Sequence, residues 1–423
     1  MKVFKFGGAS VNSSSAVKNV ADILIQYKDD NILTVISAMG KTTNALENLA
    51  LEYFKKTDKK EGIYDDVKEY HLTIINELFT DKTHQIYTNI SDIFNTLYKK
   101  IITSPTDNFD FEYDQIVSFG EIISTKIVSN YLSYKNIKNK WIDAREIIRT
   151  DLTYREGKVD WSFTESCIQQ NILPLFSKNK ENLIISQGFI GGGRGNHTVT
   201  LGREGSDYSA AIFAFGLNAN EMTIWKDVPG LLNADPKFFK DTHKLDTISY
   251  REAIELAYYG ATIIHPKTIK PLQNKNIPLF VKSFMNPENA GTIISNIENS
   301  DDIIPSFIFK QKQALVSISP KDFSFIAEDN LSEIFNIIAE NQIKINLMQN
   351  SAISFSICMD ADNRHFDKLI IDLQQKFKVK YNNNLDLITI RHYNQSIIDK
   401  IVSNRKILLE QKSRVTAQII VEN

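Results

Sequence analysis

Met1-Lys-Val-Phe-Lys-Phe-Gly-Gly-Ala-Ser-Val11 decides how the rest of this chain is read. A short apolar strand runs directly into Gly7-Gly8, with Lys5 two residues ahead of the glycines. A lysine at a strand end beside a glycine turn can hold its ammonium over a phosphate chain. The glycines let bare backbone N–H groups approach the same oxygens. A helix that begins near Ser13 adds a positive N-terminus behind them. Together these parts suit phosphoryl transfer.

Outward from that strand, strand and helix alternate: Lys2–Phe6, a helix over Ser14–Tyr27, Ile32–Ser37, and a helix over Thr43–Phe54. Such alternation predicts a mainly parallel sheet covered by helices. Polar stretches with spaced apolar positions from about Asp58 to Lys100 read as surface helices. Ile116–Leu132 reads as one amphipathic helix. Leu183–Ile190, Met222–Trp225 and Ile277–Ser283 read as strands, and Ser206–Leu217 and Tyr250–Tyr259 as helices. The acidic, Pro-ended run Asn296–Pro305 reads as a linker. Beyond it the pattern is strand, helix, strand, strand, helix, strand, the ferredoxin-like order. A shorter, incomplete second pass starts near residue 385.

The 423 residues require more than one domain, and 42% apolar residues are enough for sizeable cores. Lys+Arg 49 against Asp+Glu 51 leaves a net charge of −2, which gives no electrostatic case for nucleic acid or an anionic membrane. No segment approaches the roughly 20 apolar residues of a membrane span. Cys167 and Cys358 lie far apart in apolar surroundings and read as buried free thiols of a reducing cytosol. A cytoplasmic protein is expected.

Two further motifs join the first. Gly202-Arg-Glu-Gly-Ser-Asp207 opens a helix, where Ser206 and Asp207 could simply cap it. Capping does not explain Arg203, a planar donor suited to a carboxylate. Asp207 could orient Lys5 or reach a nucleotide's Mg²⁺. Trp225–Pro236 follows a strand, where open α/β sheets hold ligands. Ser118-Phe-Gly-Glu121 puts a carboxylate on the first turn of a helix, able to hold a substrate ammonium. Gly40-Lys-Thr42 is not a P-loop, because Val35 stands where the first glycine belongs. Gly191–Gly195 reads as a hairpin tip, and His265 as a packed turn histidine. The histidines form no metal spacing.

These pieces, in this order, resemble the aspartate kinases of the amino-acid kinase family. The carrying residues are Lys5–Val11, Ser37 with Thr43-Asn44, Gly120-Glu121, Gly202–Asp207, Trp225–Asp235, Gly260–Pro266 and Phe280–Phe284 with Gly291-Thr292. The resemblance implies an αβα catalytic domain over 1–298. It also implies ferredoxin-like ACT regulatory modules, one over 303–384 and a partial one over 385–423. It implies phosphorylation of L-aspartate by ATP with Mg²⁺, the first step toward lysine, threonine and methionine. Lys5 and Asp207 would be catalytic. Ser37, Thr43, Glu121 and Arg203 would bind aspartate. Lys5, Gly7, Gly8, Ser206, Lys226, Asp227 and Lys237 would bind the nucleotide, with no residue ligating metal directly. An amino-acid effector at the ACT region and a homodimer are expected. No fused homoserine dehydrogenase is expected, since no Gly-x-Gly-x-x-Gly domain follows. Rival readings are another amino-acid kinase, acting on N-acetylglutamate, glutamate or UMP, and a catalytically inactive amino-acid sensor that uses the ACT modules only. This sequence departs from the family pattern at Ala9, Glu204, Leu232, Thr262, Lys237 and Ala352.

Overall fold

The structure is a computed structural model that describes residues 1–177, 182–261, 264–297, 304–322, 324–362 and 365–422. Thr262 and most of the expected linker lie outside the described residues. The chain divides into two compact units. The first is Met1–Leu231 with Lys244–Ile254 and Ile264–Glu298. The second is Leu232–His243 and Glu255–Ile263 with Asn299–Asn423. Segments 232–243 and 255–263, expected within the first domain, therefore cluster with the second.

The first unit is built on an eight-stranded sheet. Its order is Thr247–Ser249, Thr292–Ser295, Leu279–Ser283, Glu221–Lys226, Lys2–Phe6, Ile32–Ile36, Leu183–Gln187, Lys140–Trp141. Every pairing is parallel except that between Leu279–Ser283 and Thr292–Ser295. Ile32–Ile36 and Leu183–Gln187 are buried throughout, as strands covered on both faces must be. Lys2–Phe6 lies at the centre. Phe4 and Phe6 alternate onto one face, where both rings contact Trp225 at centroid separations of 5.6 and 5.8 Å. Pleating sends Lys5 to the opposite face.

The stretch expected as one helix over Ile116–Leu132 is two helices, Phe109–Val117 and Phe119–Tyr134, which meet at Ser118. Apolar periodicity runs through the junction, so the pattern alone could not reveal the bend. Its effect is to start a fresh helix two residues before Glu121. The residues from Asp58 to Lys100 form the expected helices, Lys59–Leu78 and Ile86–Ile102, whose apolar faces join the main core. Pattern reading passed over helix Pro266–Asn274 and strand Thr292–Ser295.

The second unit holds one six-stranded antiparallel sheet, ordered Leu347–Asn350, Phe355–Asp360, Ser306–Pro320, Phe377–Arg391, Thr416–Glu422, Ile407–Lys412. Two of these strands are 15 residues long and run through both halves. Residues 313–320 complete the first ferredoxin-like module. Residues 306–310 instead pair with 387–391, beside Thr416–Glu422. The shorter second copy thus borrows its fourth strand from upstream, and a boundary at 385 cuts through paired strands. The strand expected to close the first pass and the one expected to open the second are a single strand, Phe377–Arg391. A register irregularity falls at Asn382–Leu385, with Asn384 at φ 58°.

Candidate active site

Parallel sheets hold ligands beyond the carboxyl ends of their strands, and a cavity of about 770 Å³ opens there. Its lining includes Lys5, Gly8, Ser37, Thr43, Glu121, Arg203, Ser206 and Asp207. Eight of the residues singled out in the sequence, from five separated segments, thus share one wall.

Lys5 sits one residue before the end of its strand, and its Nζ lies 2.6 Å from Asp207 Oδ1, with both side chains largely buried. Asp207 stands in the first turn of helix Gly205–Leu217, which has no side-chain cap. Simple capping therefore does not account for Ser206 and Asp207; the carboxylate fixes the ammonium. Gly8 is required by close approach: a Cβ there would lie 2.8 Å from Gly40 O and 2.9 Å from Ala38 O. The Gly40 N–H donates to Gly8 O at 3.0 Å, so the loops after the two central strands are stitched together.

Glu121 is the most unusual group in the cavity. Only 2% of the residue is exposed, and burial pushes its carboxyl up to about 8. Oε1 accepts a long hydrogen bond of 3.4 Å from the Ala38 N–H, whereas the buried Oε2 has no hydrogen-bond partner among the described residues. A buried carboxylate without a cation is costly, and a ligand ammonium would supply one. Ser37 and Thr43 line the same space, with the Ser37 carbonyl held by Ser124 Oγ at 2.7 Å.

Arg203 precedes a residue held at φ 54°, Glu204. Such backbone favours glycine, which is the physical reason a glycine is common there in the family pattern. The Glu204 carboxylate is occupied, accepting the His265 N–H at 2.7 Å. His265 itself caps helix Pro266–Asn274 through Nδ1 to the Lys267 N–H, as a turn histidine should.

Not every expected residue reaches this cavity. Gly7 adjoins Lys5 but is not on its wall, and neither are Lys226 and Asp227, at the end of strand Glu221–Lys226. Lys237 belongs to the second unit, in an Asx turn that Asp235 makes by accepting the Lys237 N–H at 2.9 Å. Leu232 lies in that unit too. Of the two cysteines, both free, Cys358 is buried but Cys167 is only half-buried, short of the burial expected for it.

Sequence reasoning missed the outer wall: Glu47, Asp110, Tyr113, Tyr154, Arg155 and Thr200. The Tyr113 hydroxyl donates to Glu47, and the Arg155 guanidinium lies 4.5 Å from the Tyr113 ring centre and 3.3 Å from Asp110. No local motif marks these residues, because each meets its partners only through the fold.

The amino acid kinase family model matches residues 1–283, and the chain belongs to that family. Lysine-sensitive aspartokinase 3 of Escherichia coli (strain K12) is 29% identical over 401 residues, 92% of this chain and 86% of that protein. The chloroplastic aspartokinase 2 of Arabidopsis thaliana is 30% identical over 386 residues, 85% of this chain and 66% of that protein. A bifunctional aspartokinase/homoserine dehydrogenase of Zea mays is 28% identical, and the match spans 41% of its length. Among solved structures, E. coli aspartokinase III in complex with aspartate and ADP superposes with a TM-score of 0.81 at 26% identity. That match covers 100% of this chain and 96% of the other. The complex of the same enzyme with lysine and aspartate gives 0.83 at 25% identity, with the same coverage. Among the described residues no helix is long and apolar enough to cross a membrane.

Proposed function

We propose that this chain is an aspartate kinase, transferring the γ-phosphoryl group of ATP to the side-chain carboxylate of L-aspartate. The products are 4-phospho-L-aspartate and ADP, the first step of the aspartate-derived amino-acid pathway. One observation carries the reading. A buried, unpaired carboxylate and a guanidinium line the same cavity as a strand-end lysine. Glu121 would take the α-ammonium and Arg203 the α-carboxylate, with Ser37 and Thr43 completing the pocket. That arrangement selects a zwitterion and leaves the acidic side chain directed at Lys5.

The chemistry needs no base, since an aspartate side chain is ionised at neutral pH. A carboxylate oxygen attacks the γ-phosphorus in line, and the bond to the β-phosphate oxygen breaks, releasing ADP. Lys5, positioned by Asp207, would offset the charge that develops on the equatorial oxygens, with Gly7 and Gly8 N–H groups beside it. Ser206, Lys226 and Asp227 would contact the nucleotide. The nucleotide substrate is MgATP. Among the described residues no group of three or more His, Cys, Asp or Glu could hold a metal ion. The ion would come with the nucleotide, held mainly by its phosphate oxygens and water.

The E. coli enzyme's complex with lysine motivates a regulatory role for the second unit, binding an amino-acid effector. Ferredoxin-like modules with exposed edge strands, such as Leu347–Asn350, also suit pairing across a two-fold axis into a homodimer. Two free thiols fit a reducing cytoplasm. The test is an ATP-dependent hydroxamate assay across acidic amino acids. Aspartate should be strongly preferred, and preference for glutamate would overturn the assignment. Repeating it with lysine or threonine present reads the effector, and light scattering reads the dimer.

A further inference from the structure

Asp114 lies on no motif, yet it ties together two segments of the cavity wall. It sits on helix Phe109–Val117 and is fully buried. Oδ2 accepts the backbone N–H of Arg155 at 3.0 Å and that of Thr200 at 2.9 Å; Oδ1 accepts the Thr200 hydroxyl at 2.7 Å. Thr200 ends the strand that leads into Gly202-Arg203, and Arg155 belongs to the facing loop.

These two segments touch each other directly. The Gly157 N–H donates to Thr200 O at 2.9 Å, and a Cβ at Gly202 would lie 3.1 Å from Arg155 O. Arg155 also holds φ at 68°, a left-handed conformation uncommon for any residue with a Cβ, which persists where its surroundings over-determine it. Two of the donors that Asp114 receives are backbone groups of the residues that set this geometry. A carboxylate with three hydrogen bonds in a dry site is a stiff fixture.

We infer that Asp114 is a positioning residue for the acceptor subsite: it sets the Thr200–Arg203 turn, and with it the Arg203 guanidinium, against the Arg155 loop. The claim rests on the aspartate kinase reading for its substrate. A merely structural role has a built-in control next door. Gln115 joins the same helix to the same strand, donating to Thr198 O at 2.8 Å and accepting the Thr198 N–H at 3.1 Å. None of its hydrogen bonds reaches Arg155 or Thr200, so its loss weakens the seam without releasing the turn.

The experiment compares Asp114→Ala, Asp114→Asn and Gln115→Ala in the full chain. Asp114→Ala should raise the aspartate KM by about tenfold or more, with the ATP KM within about twofold. Asp114→Asn keeps an oxygen for both N–H donors and should recover most of the loss. Gln115→Ala should lower the melting temperature with the aspartate KM unchanged. Equal shifts in both KM values, an Asn variant no better than Ala, or a matching KM shift in Gln115→Ala would overturn the inference. If Asp114→Ala does not fold, Thr200→Val removes only the hydroxyl donor; an unchanged aspartate KM there overturns it equally. A wild type that ignores aspartate sinks the substrate assignment alone. Positioning is then read by hydrogen exchange over 153–157 and 200–205, which must rise in Asp114→Ala and not in Gln115→Ala; failure to rise ends it.

Discussion

The proposed acceptor and nucleotide sides of this site are built differently. Ser37, Thr43, Glu121 and Arg203 come from four segments, yet all line one cavity. Glu121 is buried in a helix, and the Arg203 turn is braced by Asp114 and Thr200. The expected nucleotide residues Lys226, Asp227 and Lys237 lie off that wall, at a strand end and in a turn of the second unit. A small zwitterion offers few atoms, so rigid partners must do the selecting. A triphosphate carries its own charge and reach, and a half-buried lysine at a strand end such as Lys226 can serve it with looser geometry.

Lys5 joins the two sides, so its removal should have the largest effect. Lys5→Ala should lower kcat by about two orders of magnitude or more, the range found on deleting a transition-state charge donor. It also leaves Asp207 buried without its cation, so a melting curve must accompany the rates. Near-normal turnover would take Lys5 out of its role and dissolve the contrast.

Arg203→Ala sharpens it. Losing a charge-assisted grip on a carboxylate should raise the aspartate KM by about 10- to 100-fold. The ATP KM should scarcely change. An effect confined to ATP would mean that the two subsites are exchanged.

Glu121 adds a pH signature. Burial raises its carboxyl from 4.5 to about 8, while an incoming ammonium needs it ionised. The aspartate KM should therefore climb as pH falls below about 8, by up to about tenfold per unit, and Glu121→Gln should flatten that climb. The sign for stability is the reverse. A carboxyl whose folded value is raised favours the fold below its ordinary value, and that contribution is lost as pH rises through about 8. The unliganded wild type should lose melting temperature relative to Glu121→Gln between pH 4.5 and 8, and added aspartate should restore it. Parallel curves would show that Glu121 does not titrate in the site.

Lys226→Ala should give the smallest change, about two- to fivefold in the ATP KM, as expected of a partly exposed charge. A larger effect than that of Arg203→Ala on aspartate would show the nucleotide side to be as tightly built as the acceptor side.

Local chemistry was legible wherever one segment carried its own reason. Strand Lys2–Phe6 and helix Tyr250–Tyr259 run as read, and an arginine before Gly-Ser-Asp had no use as a cap. The helix over Ile116–Leu132 misled because apolar spacing continues across Ser118. The strand Phe377–Arg391 reads as two because the pattern divides the region between two successive modules, whereas one strand runs through both.

By itself, then, the chain determined the order of strands and helices, the cationic glycine turn and the kinds of side chain available for a phosphorylated acid. These depend on neighbours within a few residues, where periodicity and backbone preference act. Tertiary structure alone decided that Glu121 would be dry and unpaired, and that Asp114 would brace a turn 86 residues away. It also decided that a strand at 306–310 would complete a module otherwise drawn from 385–422. Burial and long-range pairing are properties of what packs against a residue, and no local stretch of sequence contains its own surroundings.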